Sequence, residues 1–467
     1  MDTWTRGVSG RPALRGREEP AGQLDVGLNA VQVGSGLALL VRGRFVSARR
    51  QVPSGLFVDE RACPLRAALG AGLDYPGYAW AIVELDRAAP ERLRLAMSFG
   101  DAGPAGERVI TIGHATTQPP AVLRAREARV AICMATHDPE PVLLERQLRS
   151  LETQSHRNWV ALISDDASRP DRLNVLRQLV ARDERFVLLE HEDRVGSYAN
   201  FERAARAVPA WCTMAAFCDQ DDVWRADKLE RLAASLPQDG VVCSDARIVR
   251  PDGSVISPTF WTTRRDLPTD VRSILNANSV PGCTMAWDTR LHDVVLPFPP
   301  QLEHLHHDGW VAAAAAAFGG IHRIDEPLVD YVQHDGNALG HSAAVDRRIG
   351  RLSHREVLSL FVSVGCRHTL SRLQIDTAIR PEALARTLRL RARASDRPVS
   401  RELTEACRVD DDFDRILDHV VRGARASVHR GLRGTELSVA RGLLANRLSR
   451  SRAAGVVGTL PLRARGR

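Results

Sequence analysis

The sequence predicts an α/β protein, with a mainly parallel sheet flanked by helices between a small N-terminal β domain and a C-terminal helical region. Three observations predict it. From residue 130 short apolar runs alternate with helix-period stretches, several of these runs end in polar or acidic residues, and the flanking segments differ in character from this alternation. At 467 residues the chain is also too long for one ordinary core, so roughly two or three domains are expected.

Residues 1–30 carry Arg6, Arg11, Arg15, Arg17, Glu18 and Glu19 and lack the apolar stretch of a secretory signal. They read as a disordered start to a cytoplasmic protein. Residues 31–115 read as the small β domain, because runs of β-formers at Leu37–Val46, Trp80–Leu85, Leu93–Phe99 and Arg108–Ile112 are separated by Pro, Gly and Asp breaks such as Asp74-Tyr75-Pro76-Gly77. No catalytic constellation stands out in it. Thr116 to Pro120 is a polar, proline-bearing linker.

A domain over residues 127–345 follows. Val130–Met134 reads as a strand, then Leu143, Leu144, Leu148 and Leu151 share one helix face. Trp159–Ile163 is a second strand, with a helix through Leu173, Leu176 and Val180 behind it. Phe186–Leu189 is a third, Phe201–Ala207 a helix, and Trp211–Cys218 a fourth strand. Such alternation with short connections implies a mainly parallel sheet covered on both faces. From residue 346 to 467 the chain turns arginine-rich and helical, with stripes at Leu352, Val357, Leu360, Phe361 and Val364, and at Leu437, Ala440, Leu444 and Leu448. These read as ordinary helix packing ahead of membrane docking.

Composition narrows the function classes. No run approaches the ~18 apolar residues of a membrane span; the longest candidate, Val311 to Phe318, is mostly alanine. The eight cysteines show no C-x-x-C spacing, and several lie in apolar runs, which argues against structural zinc and against a disulfide framework. The net charge of +7 is concentrated: Val421 to Arg467 holds eleven arginines and one acid, Glu436, and the remainder is close to neutral. A local basic tail suits an anionic membrane surface or a polyanionic partner better than a whole-protein nucleic-acid footprint.

The segment Thr213 to Trp224 runs an apolar stretch straight into Asp219, Asp221 and Asp222. Clustered carboxylates at a strand end repel one another unless a cation is present, and Mg²⁺ or Mn²⁺, which fills its shell with phosphate oxygens, suits such a place. A helix cap is the alternative, since Ala226 to Leu236 reads as helical. In open parallel sheets ligands bind outside the carboxyl ends of the strands. Thr136, then Asp165 and Asp166, then Asp219 and Asp221 fall at that edge.

With these residues in view the sequence resembles the family 2 glycosyltransferases of the GT-A nucleotide-diphospho-sugar transferase fold, in the style of bacterial rhamnosyltransferase-like members. Four elements carry the resemblance over about Arg129 to Gly340: Cys133-Met134-Ala135-Thr136-His137, Ser164-Asp165-Asp166-Ala167-Ser168, Asp219-Gln220-Asp221-Asp222-Val223-Trp224, and His307-Asp308-Gly309-Trp310 followed by Tyr331 to Asn337. The resemblance implies transfer of a sugar, with inversion, from a nucleotide-diphosphate donor to an acceptor hydroxyl. It implies nucleotide-sugar contacts from Thr136, Asp165, Asp166 and Asp219, and metal ligation by Asp221 and Asp222 with His334. Asp308 would be the general base, since a carboxylate bonded to the acceptor hydroxyl can take its proton. Gly282, Cys283, Thr284 and Trp310 would form the acceptor side.

Each motif has a structural alternative: Thr136 and Asp308 could cap helices, Gly282 could mark a strand bulge, and a lone histidine such as His334 is often structural. Two departures from the family pattern stand out. Gly309 replaces a second tryptophan after His307-Asp308, and Gly196-Ser197-Tyr198-Ala199-Asn200 stands where many members carry an arginine. The expected partners are a nucleotide-diphosphate sugar and a glycan or glycolipid acceptor of the cell envelope, at the inner face of the plasma membrane. A nucleotidyltransferase would show a glycine-rich basic loop early in the domain, and Ala135 to Leu144 has none. A non-catalytic sugar-nucleotide scaffold would have no need of Asp308.

Overall fold

The computed structural model describes residues 24–33, 36–45, 53–58, 61–63, 66–68, 77–85, 92–99, 105–111, 129–261, 269–302, 305–334 and 379–407. The linker at 116–120, the residues 335–337 of the last motif, both C-terminal apolar stripes and the basic tail lie outside these residues.

The N-terminal domain consists of eight strands: β1 (Leu24–Val33), β2 (Gly36–Phe45), β3 (Pro53–Val58), β4 (Arg61–Cys63), β5 (Arg66–Ala68), β6 (Gly77–Leu85), β7 (Arg92–Phe99) and β8 (Ala105–Thr111). They form two four-stranded sheets, ordered β1-β2-β6-β5 and β4-β3-β7-β8, whose pairings are all antiparallel. Residues 24–30, expected to be disordered, belong to β1, which pairs along its whole length with β2. Its apolar residues Leu24, Val26, Leu28 and Ala30 alternate with Asp25, Gly27 and Asn29 in the two-residue period of a strand.

Leu39 and Val41 of β2 join Leu56, Val58, Leu93 and Leu95 between the sheets. Ala38 and Leu40, on the opposite face, join the core of the following domain together with Trp80. A strand buried on both faces reads as an unbroken apolar run, which is why Leu37 to Val41 shows no alternation.

The second domain is built on one nine-stranded sheet. Its strands are β9 (Val130–Thr136), β10 (Trp159–Asp166), β11 (Phe186–His191), β12 (Met214–Cys218), β13 (Val223–Trp224), β14 (Val241–Val249), β15 (Val255–Ser257), β16 (Met285–Asp288) and β17 (Ile321–Val332). The order is β11-β10-β9-β12-β16-β14-β17-β13, with β15 on β14. The four strands read from sequence pair parallel, as expected. Beyond them the sheet is mixed, because β16 inserts antiparallel to both β12 and β14, while β14 and β17 are parallel again.

Helices α1 (Pro141–Glu152), α2 (Pro170–Val180), α3 (Ser197–Arg206), α4 (Lys228–Ser235), α5 (Val271–Asn276), α6 (His292–Val295) and α7 (His307–Phe318) cover the sheet. Val130, Ile132 and Met134 of β9 pack with Leu144, Leu148 and Leu176 on one face. Ala131 and Cys133 pack with Phe201, Trp310 and Ala314 on the other. Two further helices, α8 (Arg380–Ala394) and α9 (Arg401–Ala406), belong to the C-terminal region. Ala383, Leu384 and Leu388 of α8 share the core that holds Leu40 of the sandwich and Trp310 of α7.

Candidate active site

Parallel pairing brings the strand ends level. Asp165 of β10 lies opposite Thr136 of β9 and Glu190 of β11, and Cys218 of β12 lies opposite Met134. The residues that leave these strands therefore meet at one edge, and they separate into two groups.

The first group stitches the edge together. Thr136 is 1% exposed and its hydroxyl donates to Asp165 at 3.0 Å. Asp165, equally buried, also accepts from the backbone N–H of Ser168 at 2.9 Å and from its hydroxyl at 2.6 Å. Both side chains, expected to contact the nucleotide sugar, are turned into the fold, where they shape the turn after β10. Asn200 of α3 bonds the carbonyls of Ser164 at 2.8 Å and Thr136 at 3.3 Å from the same side.

Asp166 holds the next loop. It accepts from the N–H groups of Val195 at 2.8 Å and Gly196 at 2.7 Å, and Arg203 approaches at 3.3 Å. Gly196 has φ of 85°, the left-handed region that glycine enters at no steric cost. His137 joins the two groups of residues: its N–H donates to Gln220 at 2.9 Å, while its Nδ1 meets the Asp166 carbonyl at 2.9 Å.

The second group is acidic. Asp221 and His334 meet at 2.8 Å between Oδ2 and Nε2, with side chains 15% and 23% exposed. Sequence positions 113 residues apart are thus joined at one point. Asp222 is fully buried; one oxygen accepts from the Val332 N–H at 3.1 Å and the other has no hydrogen-bond partner. Burial, with Asp219 and Asp221 beside it, pushes its carboxyl well above the usual carboxylate range. Asp219 is pushed up to about 7 by burial and by the charges of Asp221 and Asp308, against a pull from Lys228. Ligand atoms of Asp219, Asp222 and Cys283 lie within 4.8 Å of one another. Carboxylates crowded to this degree, one with an unpartnered oxygen, and an imidazole at the rim fit a divalent cation; oxygen donors suit Mg²⁺ or Mn²⁺.

Asp308 stands in the first turn of α7. Its two oxygens accept from the N–H groups of Gly282 at 3.1 Å and of Gly309 at 2.6 Å, and Asn278 adds a side-chain bond. Burial nevertheless raises the carboxyl to about 6. His307 beside it stacks on Phe201 at 3.7 Å between ring centroids and sits edge-on to Phe217. Burial holds His307 down to about 3, so it is neutral.

The turn at Gly282–Thr284 is a short 3-10 helix. A Cβ on Gly282 would lie 2.6 Å from His307 Nε2, so the glycine permits a close approach between turn and helix. Cys283 and Thr284 are buried, the Thr284 hydroxyl donating to the Pro281 carbonyl at 2.8 Å. The turn acts as a support for Asp308 through its Gly282 N–H.

Trp310, expected on the acceptor side, packs inside the fold. It is fully buried, and its indole N–H donates to the Val295 carbonyl at 2.8 Å. Two residues along a helix point roughly 200° apart, so a helix that turns Asp308 toward the strand ends turns Trp310 toward α6 and α8.

Sequence reasoning missed Asn278, Gln220, Asn200, Arg203 and Lys228. The first four are single polar residues in loops or on helix faces. Lys228 carried a signal: a lysine at the start of a helix, where the macrodipole disfavours a cation, four residues after Trp224.

Residues 131–287 match the family model for glycosyl transferase family 2. A putative teichuronic acid biosynthesis glycosyltransferase of Bacillus subtilis, TuaG, is 32% identical over 88 residues, covering 19% of this chain and 34% of that protein. An uncharacterized glycosyltransferase of Nostoc sp. is 27% identical over 202 residues, 42% of this chain and 62% of that one. The chain thus spans less than two thirds of either relative. Among solved structures, S. aureus TarS with UDP-GlcNAc aligns over 69% of this chain and 92% of its own at 13% identity and a TM-score of 0.37. A Pyrobaculum calidifontis mannosyltransferase with GDP-Man and Mn²⁺ aligns over 70% and 88% at 18% identity and 0.36.

Proposed function

We propose that the protein moves a sugar from a nucleotide-diphosphate donor to an acceptor hydroxyl, with inversion and with the help of a divalent ion, a reading supported by the match of residues 131–287 to the glycosyl transferase family 2 model. The observation that carries this reading is the meeting of a carboxylate–imidazole pair, Asp221 and His334, with a carboxyl of raised basicity, Asp308, around Asp219.

Asp221, Asp222 and His334 would hold the ion, and Asp219 would face the donor beside it. Mg²⁺ or Mn²⁺ bound there neutralises charge on the leaving diphosphate. Asp166 would accept from the nucleobase, sharing its oxygens with the Val195–Gly196 loop. Asp308 takes the proton of the acceptor hydroxyl. A carboxyl near pH 6 is ionised at neutral pH and is a better base than an ordinary one. The two backbone donors aim its oxygens and prevent their rotation.

The acceptor would be a cell-envelope glycan or glycolipid, a reading supported by the relative named for teichuronic acid biosynthesis. No helix among the described residues is long and apolar enough to cross a membrane. Contact with the anionic inner face of the membrane would then fall to the basic tail.

The test is donor turnover. Purified protein is given Mn²⁺ or Mg²⁺ and a panel of UDP-, GDP- and dTDP-sugars, and release of nucleoside diphosphate is followed. One donor is expected to be consumed, with Asp221→Ala and Asp308→Asn each slowing release by about a hundredfold or more. Wild-type rates in both variants would overturn the assignment.

A further inference from the structure

Lys228 is fully buried. Lysine is among the residues least often found in that state, and stripping an ammonium of water costs several kcal/mol unless partners replace the water. The position is doubly unfavourable, since Lys228 opens α4, where the helix dipole repels a cation. A residue that serves packing alone would be apolar here.

The ammonium has three kinds of partner. It lies 3.3 Å from the centroid of the Trp224 ring, an attractive cation–π distance. It donates to the carbonyl of Cys283 at 2.6 Å. It also feels the charges of Asp222 and Asp219, which partly offset the burial that lowers it to about 8. The carbonyl it grips belongs to the turn whose neighbouring N–H, that of Gly282, donates to Asp308 at 3.1 Å. The backbone of two residues, Gly282 and Cys283, therefore connects Lys228 to the carboxyl assigned as the base.

We propose that Lys228 is a positioning residue for the transfer reaction: by holding the Cys283 carbonyl it fixes the 282–284 turn, and through the Gly282 N–H it fixes the orientation of Asp308. The inference rests on the reading of Asp308 as the base. It also accounts for a cation beneath an acidic strand end. The same charge that makes Asp219 and Asp222 tolerable neighbours locks the turn that faces them, so the two halves of the site are set by one side chain.

The test is a double-mutant cycle, read together with hydrogen exchange. Lys228→Met keeps the length and apolar stem but cannot donate; Lys228→Gln keeps a donor without the charge. Lys228→Met is expected to lower kcat for donor turnover about ten- to a hundredfold with donor KM nearly unchanged, and Lys228→Gln to recover part of the loss. In an Asp308→Asn background the Lys228→Met change is expected to have little further effect, because both act at one point. In the same variant without donor, amide exchange over residues 279–285 is expected to accelerate at least about tenfold, with β9 and β10 unchanged.

If Asp308→Asn slows turnover to a still measurable rate but the two losses multiply, Lys228 does not act through the base and the inference falls, while the reading of Asp308 stands. If Asp308→Asn turns over donor normally, both fall. Unaltered exchange over 279–285 overturns the inference by itself, whatever the activity.

Discussion

Two backbone N–H groups and the Asn278 side chain favour the ionised form of Asp308, and burial outweighs them. The sign of the resulting pH dependence follows. The base must be ionised, so kcat/KM is expected to fall about tenfold per unit as pH drops below about 6. A pH–rate profile flat from 5 to 8 would contradict this role. The linkage to stability runs the other way: the folded carboxyl binds protons more tightly than an unfolded one, so its contribution to stability is lost as pH rises from the ordinary carboxylate range through about 6. Asp219, raised to about 7 chiefly by burial, adds in the same direction. The oxygens of Asp165 satisfy Thr136 and Ser168 inside the fold. Asp165→Ala is expected to cost about 2–4 kcal/mol in a urea titration, since it orphans buried donors; an unchanged midpoint would show that these bonds contribute nothing. Residue type and strand-end position made Asp219 and Asp221 legible in the sequence, while Asp308 and His334 were legible only through the family resemblance. None of these signals revealed which way a carboxylate turns, and so the bond between Thr136 and Asp165 was not foreseen.

At the scale of elements, the strands β9, β10 and β12 were legible because each buries both faces and reads as an apolar run closed by polar residues, and the half-buried β11 because its apolar run is closed in the same way. The later strands were not. β16 has four residues and β13 two, too few to show a period, and β17 mixes charged and apolar residues along its length. The short turn at Gly282–Thr284 was visible only as a glycine in a motif. Its importance lies in a contact between elements distant in sequence: Gly282 lies against His307 at the start of α7. Gly282→Ala brings a methyl to 2.6 Å from His307 Nε2, an overpacking expected to cost about 1–3 kcal/mol. Since the Gly282 N–H holds Asp308, the same shift is expected to lower kcat about tenfold. Thermal unfolding and initial rates measured on one preparation check both, and a variant as stable and as active as wild type would mean that the turn tolerates a side chain.

At the scale of the molecule, α8 sits where three parts of the chain meet, and its arginine shows how. Arg391 is 1% exposed, donates to the carbonyls of Val294 and Val295 at 2.9 Å each, and lies 5.1 Å from the Trp310 ring centroid. On its other side α8 shares a core with Ala38, Leu40 and Trp80 of the sandwich. Arg42 of β2 also reaches the Gln301 carbonyl at 3.0 Å, and Arg393 of α8 pairs with Glu84 of β6 at 3.6 Å. The sandwich, the C-terminal helix and the nine-stranded sheet are thus joined by shared apolar burial, with these polar contacts at its margin. None of this was legible in sequence, because an arginine-rich helix looks solvent-facing until the carbonyls that receive its guanidinium are known. Arg391→Met keeps most of the apolar stem but leaves the Val294 carbonyl without this donor. A loss of about 2–3 kcal/mol is expected, because hydrogen bonds from a charged group are the stronger kind. If burial couples the three parts, the variant should unfold in one calorimetric transition shifted to lower temperature. A catalytic-domain transition at the wild-type temperature, with a separate earlier one for the sandwich, would instead show that α8 does not link them.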